Sequence, residues 1–183
     1  MTPAAEKLFA LLKERSFKFG QFKLASGDTS TYFIDGKMSM IHSAGAYLIG
    51  QVLFEHTQEL TIDAIGGLAA GAIPLATAAV IGYHLNGRAM EGFWVRNEVK
   101  DHGTKKLVEG NVRPGSRVVV LEDVVTRGQS AMKAIDAVRE LGCEVVRVVT
   151  LVDRLQGGEQ LFRDKGVTDY RAVFTIRDFG VEV

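Results

Sequence analysis

The chain has 183 residues, of which 46% are hydrophobic and 24% are charged, so it can bury a core and is too apolar for a disordered protein. Its 22 acidic residues equal its 22 lysines and arginines, which argues against general nucleic-acid binding. It contains no signal-peptide pattern and no run of about 18 apolar residues, so we expect a cytoplasmic protein without membrane contacts.

The N-terminal third predicts a helix, a β-rich segment and a second helix. Thr2 can cap the first helix and Pro3 can open it. Residues 19–40 are rich in turn residues and short alternating runs, which predicts a hairpin. A helix is then predicted from Ala44 to about Gln58.

From residue 61 onward, predicted strands alternate with predicted helices. The strands cover 61–67, 92–96, 118–121, 143–153 and 171–174, and the helices cover 72–85, 131–141 and 158–165. This alternation implies right-handed crossovers and a parallel sheet covered on both faces. We therefore predict a single α/β domain over residues 1–183 with a small N-terminal β-rich addition. Ligands of such sheets bind at the carboxyl ends of the strands, where Arg96, Glu122 and Asp123 are expected.

The first functional signal is a strand that runs into two carboxylates and a turn. The strand 118–121 leads into Glu122 and Asp123, and the turn from Thr126 to Ser130 precedes a helix. A helix N-terminus offers unpaired N–H groups that bind phosphate, whereas carboxylates suit ribose hydroxyls or a bridging Mg²⁺. The pattern therefore indicates a ribose 5-phosphate site, the alternative being an ordinary capped helix beside a solvated acidic pair.

The stretch VVVLEDVVTRGQS is similar to the signature by which type I phosphoribosyltransferases bind PRPP (5-phosphoribosyl 1-diphosphate). The resemblance implies the parallel-sheet type I phosphoribosyltransferase fold. It also implies a β-rich hood made of about residues 1–40 plus a C-terminal segment, and a PRPP-binding core over about residues 60–155. The PRPP contacts implied in this stretch are Glu122, Asp123, Val124, Val125, Thr126, Arg127, Gly128, Gln129 and Ser130. Enzymes for several bases and some transcription regulators share this signature.

A second signal is the polar segment 97–114, which lacks periodicity and is too long for an idle connection. Arg96, Lys100 and His102 bring cations together at its start. Without an apolar face, the segment is expected to be mobile and able to cover a pyrophosphate. The alternative is a solvated charged hairpin.

The stretch VRNEVKDHGTKKLVEG resembles the catalytic loop of orotate phosphoribosyltransferases. The resemblance implies that Arg96, Lys100 and His102 are catalytic and contact the pyrophosphate of PRPP. It also implies a homodimer in which this loop closes over the active site of the neighbouring subunit. Asn97 stands where many relatives carry a second lysine.

Two stretches resemble the parts of this family that meet orotate. FKLASGDTSTYFIDGK is similar to the hood over the orotate ring, which implies that Phe33 and Ile34, with Tyr32, lie beside the pyrimidine. In LVDRLQGGEQ the family position assigns the orotate carboxylate to Arg154, and Thr126 also touches orotate. Core packing for the aromatic residues and a surface ion pair for Arg154 are the alternatives.

Two further positions depart from relatives that carry lysines. Ala25 stands where some relatives place a lysine that contacts PRPP, and whether the nearby Lys23 substitutes for it stays open. GGLAAGAIPLA resembles the pyrophosphate loop, and Gly71 replaces a lysine of some members, so backbone N–H groups are the expected contacts.

The combined prediction is a Mg²⁺-dependent orotate phosphoribosyltransferase of pyrimidine biosynthesis, which converts orotate and PRPP to orotidine 5′-monophosphate and pyrophosphate. The four histidines show no metal-ligand spacing. No direct protein ligand is expected for Mg²⁺, which is expected to be held mainly through PRPP, with Asp123 as a candidate ligand. A proton from Lys100 or His102 ranks below simple charge neutralisation. The alternatives are a transferase for a purine base and a regulator that binds PRPP without releasing pyrophosphate.

Overall fold

The computed structural model describes residues 1–23, 29–98 and 106–183, which form two sheets and the helices around them. The strands are β1 (Phe17–Lys23), β2 (Thr29–Ile34), β3 (Ala64–Leu68), β4 (Glu91–Val95), β5 (Val108–Gly110), β6 (Arg117–Val125), β7 (Glu144–Asp153) and β8 (Tyr170–Thr175). The helices are α1 (Pro3–Arg15), α2 (Lys37–Met40), α3 (Ser43–Glu55), α4 (Ala72–Leu85), α5 (Gln129–Glu140), α6 (Gly158–Asp164) and a 3₁₀ helix at Ile176–Phe179.

The main sheet has six strands in the order β5-β4-β3-β6-β7-β8. All neighbouring pairs are parallel except β4 and β5, which are antiparallel. Strands β1 and β2 form a separate antiparallel hairpin. The predicted α/β fold, with a mainly parallel sheet and a small N-terminal β-rich unit, is confirmed.

Two details of the predicted strands are wrong. Residues 97–114, predicted as aperiodic, contain β5, which is only three residues long and pairs with β4. The strand predicted to stop at Leu121 continues to Val125, so Glu122 and Asp123 lie within β6. The reason is the length of β7, whose last residues pair with β6 beyond the carboxylates, up to Val125 opposite Asp153.

Helices cover both faces of the main sheet, as the prediction required. One core packs α1, α3 and α4 on the sheet through residues such as Leu8, Ile49 and Leu75. The other packs α5 and α6 through residues such as Ile135 and Phe162. Full burial of one such side chain stabilises the fold by roughly 1.5–3 kcal/mol. None of the helices in the described ranges combines the length and apolarity needed to cross a bilayer.

Aromatic side chains attach the hairpin to the C-terminal end of the chain. The ring of Phe17 stacks on that of Phe179 with centroids 5.0 Å apart. Tyr32 stacks on Phe17 from the other strand of the hairpin, with centroids 5.9 Å apart. The backbone N–H of Asp35 donates to the carbonyl of Ser16, which fixes the exit of β2 against the end of α1. These contacts place the hairpin beside the 3₁₀ helix that follows β8.

Candidate active site

The carboxyl ends of four neighbouring strands, β4, β3, β6 and β7, meet at one edge of the main sheet. The segments that follow them are Arg96–Glu98, the glycine turn (Ala69–Gly71), the phosphate loop (Thr126–Ser130) and a turn at 154–156. The structure thus brings together most of the predicted site residues. The predicted catalytic residues Lys100 and His102 lie outside the described residues.

The phosphate loop borders an open cavity of about 310 Å³. Helix α5 begins after Gly128, which has a left-handed backbone (φ +78°) and offers no side-chain cap. The first-turn N–H groups of α5 therefore have no intrahelical partner and favour an anion in the cavity. The lining comprises Glu122, Val124, Val125, Thr126, Arg127, Gly128, Gln129, Ser130, Ala131 and Gln156. Gln156 was missed in the sequence because its only signal is its place just after β7.

Helix α6 supports the phosphate loop from behind through two glycines. A methyl group on Gly128 would lie 2.9 Å from the ring of Phe162. A methyl group on Gly158, at the start of α6, would lie 2.3 Å from Cγ1 of Val125. The loop and the end of β6 therefore sit directly on α6, and a side chain at either glycine would displace them.

Glu122 lines the cavity as a buried carboxyl group, only 7% exposed. Its Oε2 has no hydrogen-bond partner among the described residues. Burial, followed by the negative charge of Asp123, raises the pKa of Glu122 to about 8. Burial thus favours the protonated form of Glu122 in the free protein, and one of its oxygens is left for a ligand.

Asp123 lies between the glycine turn and the start of α2. Its Oδ1 accepts the backbone N–H of Val124 at 2.9 Å. A methyl group on Gly71 would lie 3.1 Å from Oδ1, and one on Gly36 would lie 3.4 Å from Oδ2. A side chain at Gly71 would thus crowd Asp123, whereas one at Gly36 would make an ordinary contact with it.

The donors around Asp123 fit a Mg²⁺ ion that is shared with a phosphorylated ligand. Within the part of the chain that the structure describes, no three His, Cys, Asp or Glu side chains are placed to hold a metal ion. Mg²⁺ commonly binds through one or two carboxylates together with substrate phosphates, which is the donor set that Asp123 and a bound diphosphate would provide.

Arg154 faces the hairpin and forms no ion pair with its neighbour Asp153. Its Nε donates to the hydroxyl of Tyr32 at 2.9 Å, and its guanidinium carbon lies 4.7 Å from the centre of that ring. Asp153 is 2% exposed and accepts hydrogen bonds from the Tyr170 hydroxyl and the Leu155 N–H. The alternative of an Asp153–Arg154 surface pair is therefore wrong: Asp153 fixes the turn, and Arg154 reaches the hood.

The other residues predicted to meet orotate lie on both faces of β2. Phe33 is 43% exposed and packs on Phe22, with ring centroids 5.4 Å apart. It therefore lies on the face of β2 opposite Tyr32, while Ile34 packs against the core. Lys23 is exposed at the end of β1. Ala25 falls outside the described residues.

Arg96 and Asn97, at the start of the polar segment, are both held by neighbours. Nε and Nη2 of Arg96 each lie 2.7 Å from Oε1 of Glu109 on β5. Nδ2 of Asn97 donates to the carbonyl of Ala69 in the glycine turn at 2.7 Å. The peptide bond between Ala69 and Ala70 is cis. Neither partner was predicted, because both contacts depend on which strands become neighbours in the sheet.

Comparisons with known proteins show which proteins the chain is similar to. A family profile described as "Phosphoribosyl transferase domain" matches residues 38–179. Orotate phosphoribosyltransferase of Sorangium cellulosum is 44% identical over 177 residues, covering 95% of this chain and 92% of the relative. That of Aquifex aeolicus is 44% identical over 168 residues, covering 90% of this chain and 92% of the relative.

Solved structures agree as well. Mycobacterium tuberculosis orotate phosphoribosyltransferase in complex with Fe(III) dicitrate superposes with a TM-score of 0.87 and 37% identity, covering 98% of this chain and all of that chain. The same enzyme in complex with PRPP superposes with a TM-score of 0.83 and 35% identity, with equal coverage.

Proposed function

Because this chain belongs to the orotate phosphoribosyltransferase family, we propose that it converts orotate and PRPP to orotidine 5′-monophosphate and pyrophosphate in a Mg²⁺-dependent reaction. Membership makes it a pentosyl-transferring glycosyltransferase of pyrimidine biosynthesis, and we place the reaction in the cytoplasm. The observation that carries the proposal is the joint placement of the phosphate loop, the buried Glu122 and Arg154 at one edge of the sheet.

The phosphate loop is the proposed site of the 5′-phosphate of PRPP. The unpaired N–H groups at the start of α5 attract the phosphate, and Thr126 and Ser130 add hydroxyl donors. The ribose hydroxyls then meet Glu122, which lines the cavity, and its neighbour Asp123. This assignment gives the unpartnered Oε2 of Glu122 a donor.

The proposed orotate site lies between the hairpin and the turn after β7. Nε of Arg154 donates to Tyr32, and Nη2 makes a long hydrogen bond of 3.5 Å to Oγ of Ser30. Nη1 and the second N–H of Nη2 are therefore proposed to meet the carboxylate of orotate. Thr126 contacts the base from the phosphate loop, and Phe33 and Ile34 belong to the strand that borders it. The Tyr32 ring, beneath the guanidinium, holds the arginine in place.

The proposed chemistry is electrostatic rather than covalent. Breaking the bond at the anomeric carbon builds positive charge on the ribose and negative charge on the departing pyrophosphate. Arg96, with Lys100 and His102 of the polar segment, is proposed to neutralise the pyrophosphate. Mg²⁺, held by PRPP oxygens and Asp123, supplies further neutralisation when bound.

A homodimer is the proposed working unit, with the polar segment of one subunit serving the site of the other. Exposed apolar side chains on α3, on α4 and just before α3 support an interface. Ile41 is 74% exposed, Tyr47 56% and Ile81 51%.

The direct test follows orotate absorbance in the presence of PRPP and Mg²⁺, with pyrophosphate release measured in parallel. We expect one pyrophosphate to be released for each orotate consumed, whereas adenine, hypoxanthine and uracil are left unchanged. Consumption of a purine in place of orotate would identify a purine transferase. PRPP binding without pyrophosphate release would identify a regulator.

A further inference from the structure

The side chain of Asn97 ties the start of the polar segment to the glycine turn. Its Nδ2 lies 2.7 Å from the carbonyl oxygen of Ala69. A carbonyl can only accept, so the amide nitrogen is the donor. On its other side, the N–H of Ala69 donates to the carbonyl of Val95, also at 2.7 Å. Both backbone polar groups of Ala69 are therefore hydrogen-bonded to residues at the end of β4, the N–H to Val95 and the carbonyl to Asn97.

These two hydrogen bonds affect the active site, because the glycine turn leads from Ala69 directly into α4. Gly71 precedes α4 without a side-chain cap, and among the described residues the N–H groups of Gly71 and Ala72 have no backbone partner and are available to a ligand. The N–H of Ile73 donates to the carbonyl of Ala70 at 3.3 Å, and Pro74 has no N–H. A methyl group on Gly71 would come within 3.1 Å of Oδ1 of Asp123. A rotation of the turn would therefore change both the direction of these N–H groups and the space beside Asp123.

We propose that Asn97 is a positioning residue for the pyrophosphate of PRPP, which it influences by fixing the glycine turn rather than by touching the ligand. The inference rests on the proposed function. Asn97 is exposed and its amide bonds to the turn, whereas Arg96 beside it bonds to Glu109. The two neighbours thus have separate tasks: Arg96 supplies charge, and Asn97 sets the backbone that receives the same group.

The test measures pyrophosphate binding to the full-length chain by titration calorimetry in the presence of Mg²⁺. Asn97→Ala removes the donor, and Asn97→Gln keeps a donor on a longer side chain. Asn111→Ala is the matched control, because Asn111 is also an exposed asparagine whose amide bonds across β4 and β5, to Glu91. We expect Asn97→Ala to weaken pyrophosphate binding roughly five- to tenfold, which is the effect of losing one hydrogen bond. Asn97→Gln should restore part of this loss, and Asn111→Ala should bind as the wild type does.

Steady-state kinetics separate positioning from general damage. Asn97→Ala should raise the KM for PRPP by a similar factor and leave the KM for orotate and the melting temperature unchanged. Unchanged pyrophosphate binding in Asn97→Ala would overturn the inference, as would an equal loss of affinity for orotate or no recovery in Asn97→Gln. Wild-type protein that binds no pyrophosphate would instead contradict the proposed function, and the inference would fall with it.

Discussion

At the scale of single residues, the pairing of Arg96 with Glu109 determines how the guanidinium is aimed. Both side chains are about 30% exposed, and one carboxylate oxygen holds Nε and Nη2 together. Removing Glu109 would leave more positive charge for a pyrophosphate but would free the arginine to rotate. We expect the lost orientation of the guanidinium to outweigh the gain in positive charge. A partly exposed ion pair contributes at most about 1 kcal/mol, whereas the orientation of the guanidinium governs the reaction geometry.

The corresponding variants are Glu109→Ala and Glu109→Gln. Glu109→Ala should raise the KM for PRPP about fivefold, and Glu109→Gln, which still accepts a hydrogen bond, should have a smaller effect. Initial rates at varied PRPP with saturating orotate measure both. If Glu109→Ala instead bound PRPP more tightly, the charge of Glu109 would outweigh its orienting contact.

Glu122 gives the free protein a pH-dependent stability. Its pKa rises from 4.5 in the unfolded chain to about 8 in the folded protein, chiefly through burial. Between these values the folded state holds a proton that the unfolded state has released, so the free energy of unfolding falls as pH rises from about 4.5 to 8. Glu122→Gln has no such proton to lose.

We therefore expect Glu122→Gln to gain stability relative to the wild type across that window, by on the order of 5 kcal/mol at the alkaline end of the window. Urea unfolding without ligands, at a series of pH values, measures the difference. The exposed Glu140→Gln on α5 is the control for removing a carboxylate. A difference that stays constant from pH 5 to pH 9 would show that Glu122 is ionised in the fold.

The sequence predicted the kinds of residues at the site better than their states and partners. The signature around Glu122 and Asp123 located both carboxylates, but the protonation of Glu122 depends on burial that only the folded cavity creates. Arg154 was assigned to a carboxylate, yet its partner Tyr32 lies 122 positions away in the chain. Contacts over such separations follow from topology, which local patterns do not encode.

At the scale of secondary-structure elements, periodic segments were predictable and short or polar ones were not. The predicted helix 72–85 coincides with α4, because its continuous apolar run ends in turn residues. Strand β5 was missed because three residues are too few for an alternating pattern. The carboxyl end of β6 was missed because the charged Glu122 and Asp123 interrupt the apolar run of the strand.

The packing of α3 on α4 depends on two glycines that the helical pattern alone would not favour. A methyl group on Gly50 would lie 2.4 Å from the carbonyl oxygen of Ala78, and one on Gly82 would lie 2.2 Å from that of Gly50. By helix propensity, Gly50→Ala should stabilise α3 by about 1 kcal/mol. The clash with rigid backbone should exceed this gain, because the two helices would have to separate.

We expect Gly50→Ala to lower the free energy of unfolding by about 1–3 kcal/mol. Chemical denaturation measures it, and Thr77→Ala, on the exposed side of α4, serves as a control for helix propensity without a clash. A Gly50→Ala protein more stable than the wild type would show that α3 and α4 can separate at little cost.

At the scale of the whole molecule, the proposed active site combines elements of two subunits. Glu122, the phosphate loop and Arg154 lie at or just after the carboxyl ends of β6 and β7 in one subunit. The polar segment starts at the same edge of the sheet, after Arg96, and its Lys100 and His102 are proposed to serve the neighbouring subunit. A site divided in this way should be repairable by combining subunits that carry different defects.

Lys100→Ala and Arg154→Met test this division, since the first alters the polar segment and the second alters the orotate site. Each variant alone should be nearly inactive. In a hybrid dimer one site would collect both defects and the other would be intact. Random pairing of equal amounts makes about half of the dimers hybrids, so the mixture should recover about a quarter of wild-type activity. Rates are measured before and after subunit exchange in mild denaturant, with each variant exchanged against itself as the control. If the polar segment served its own subunit, every site would keep one defect, and the exchanged mixture would stay as inactive as its parents while gel filtration still showed dimers.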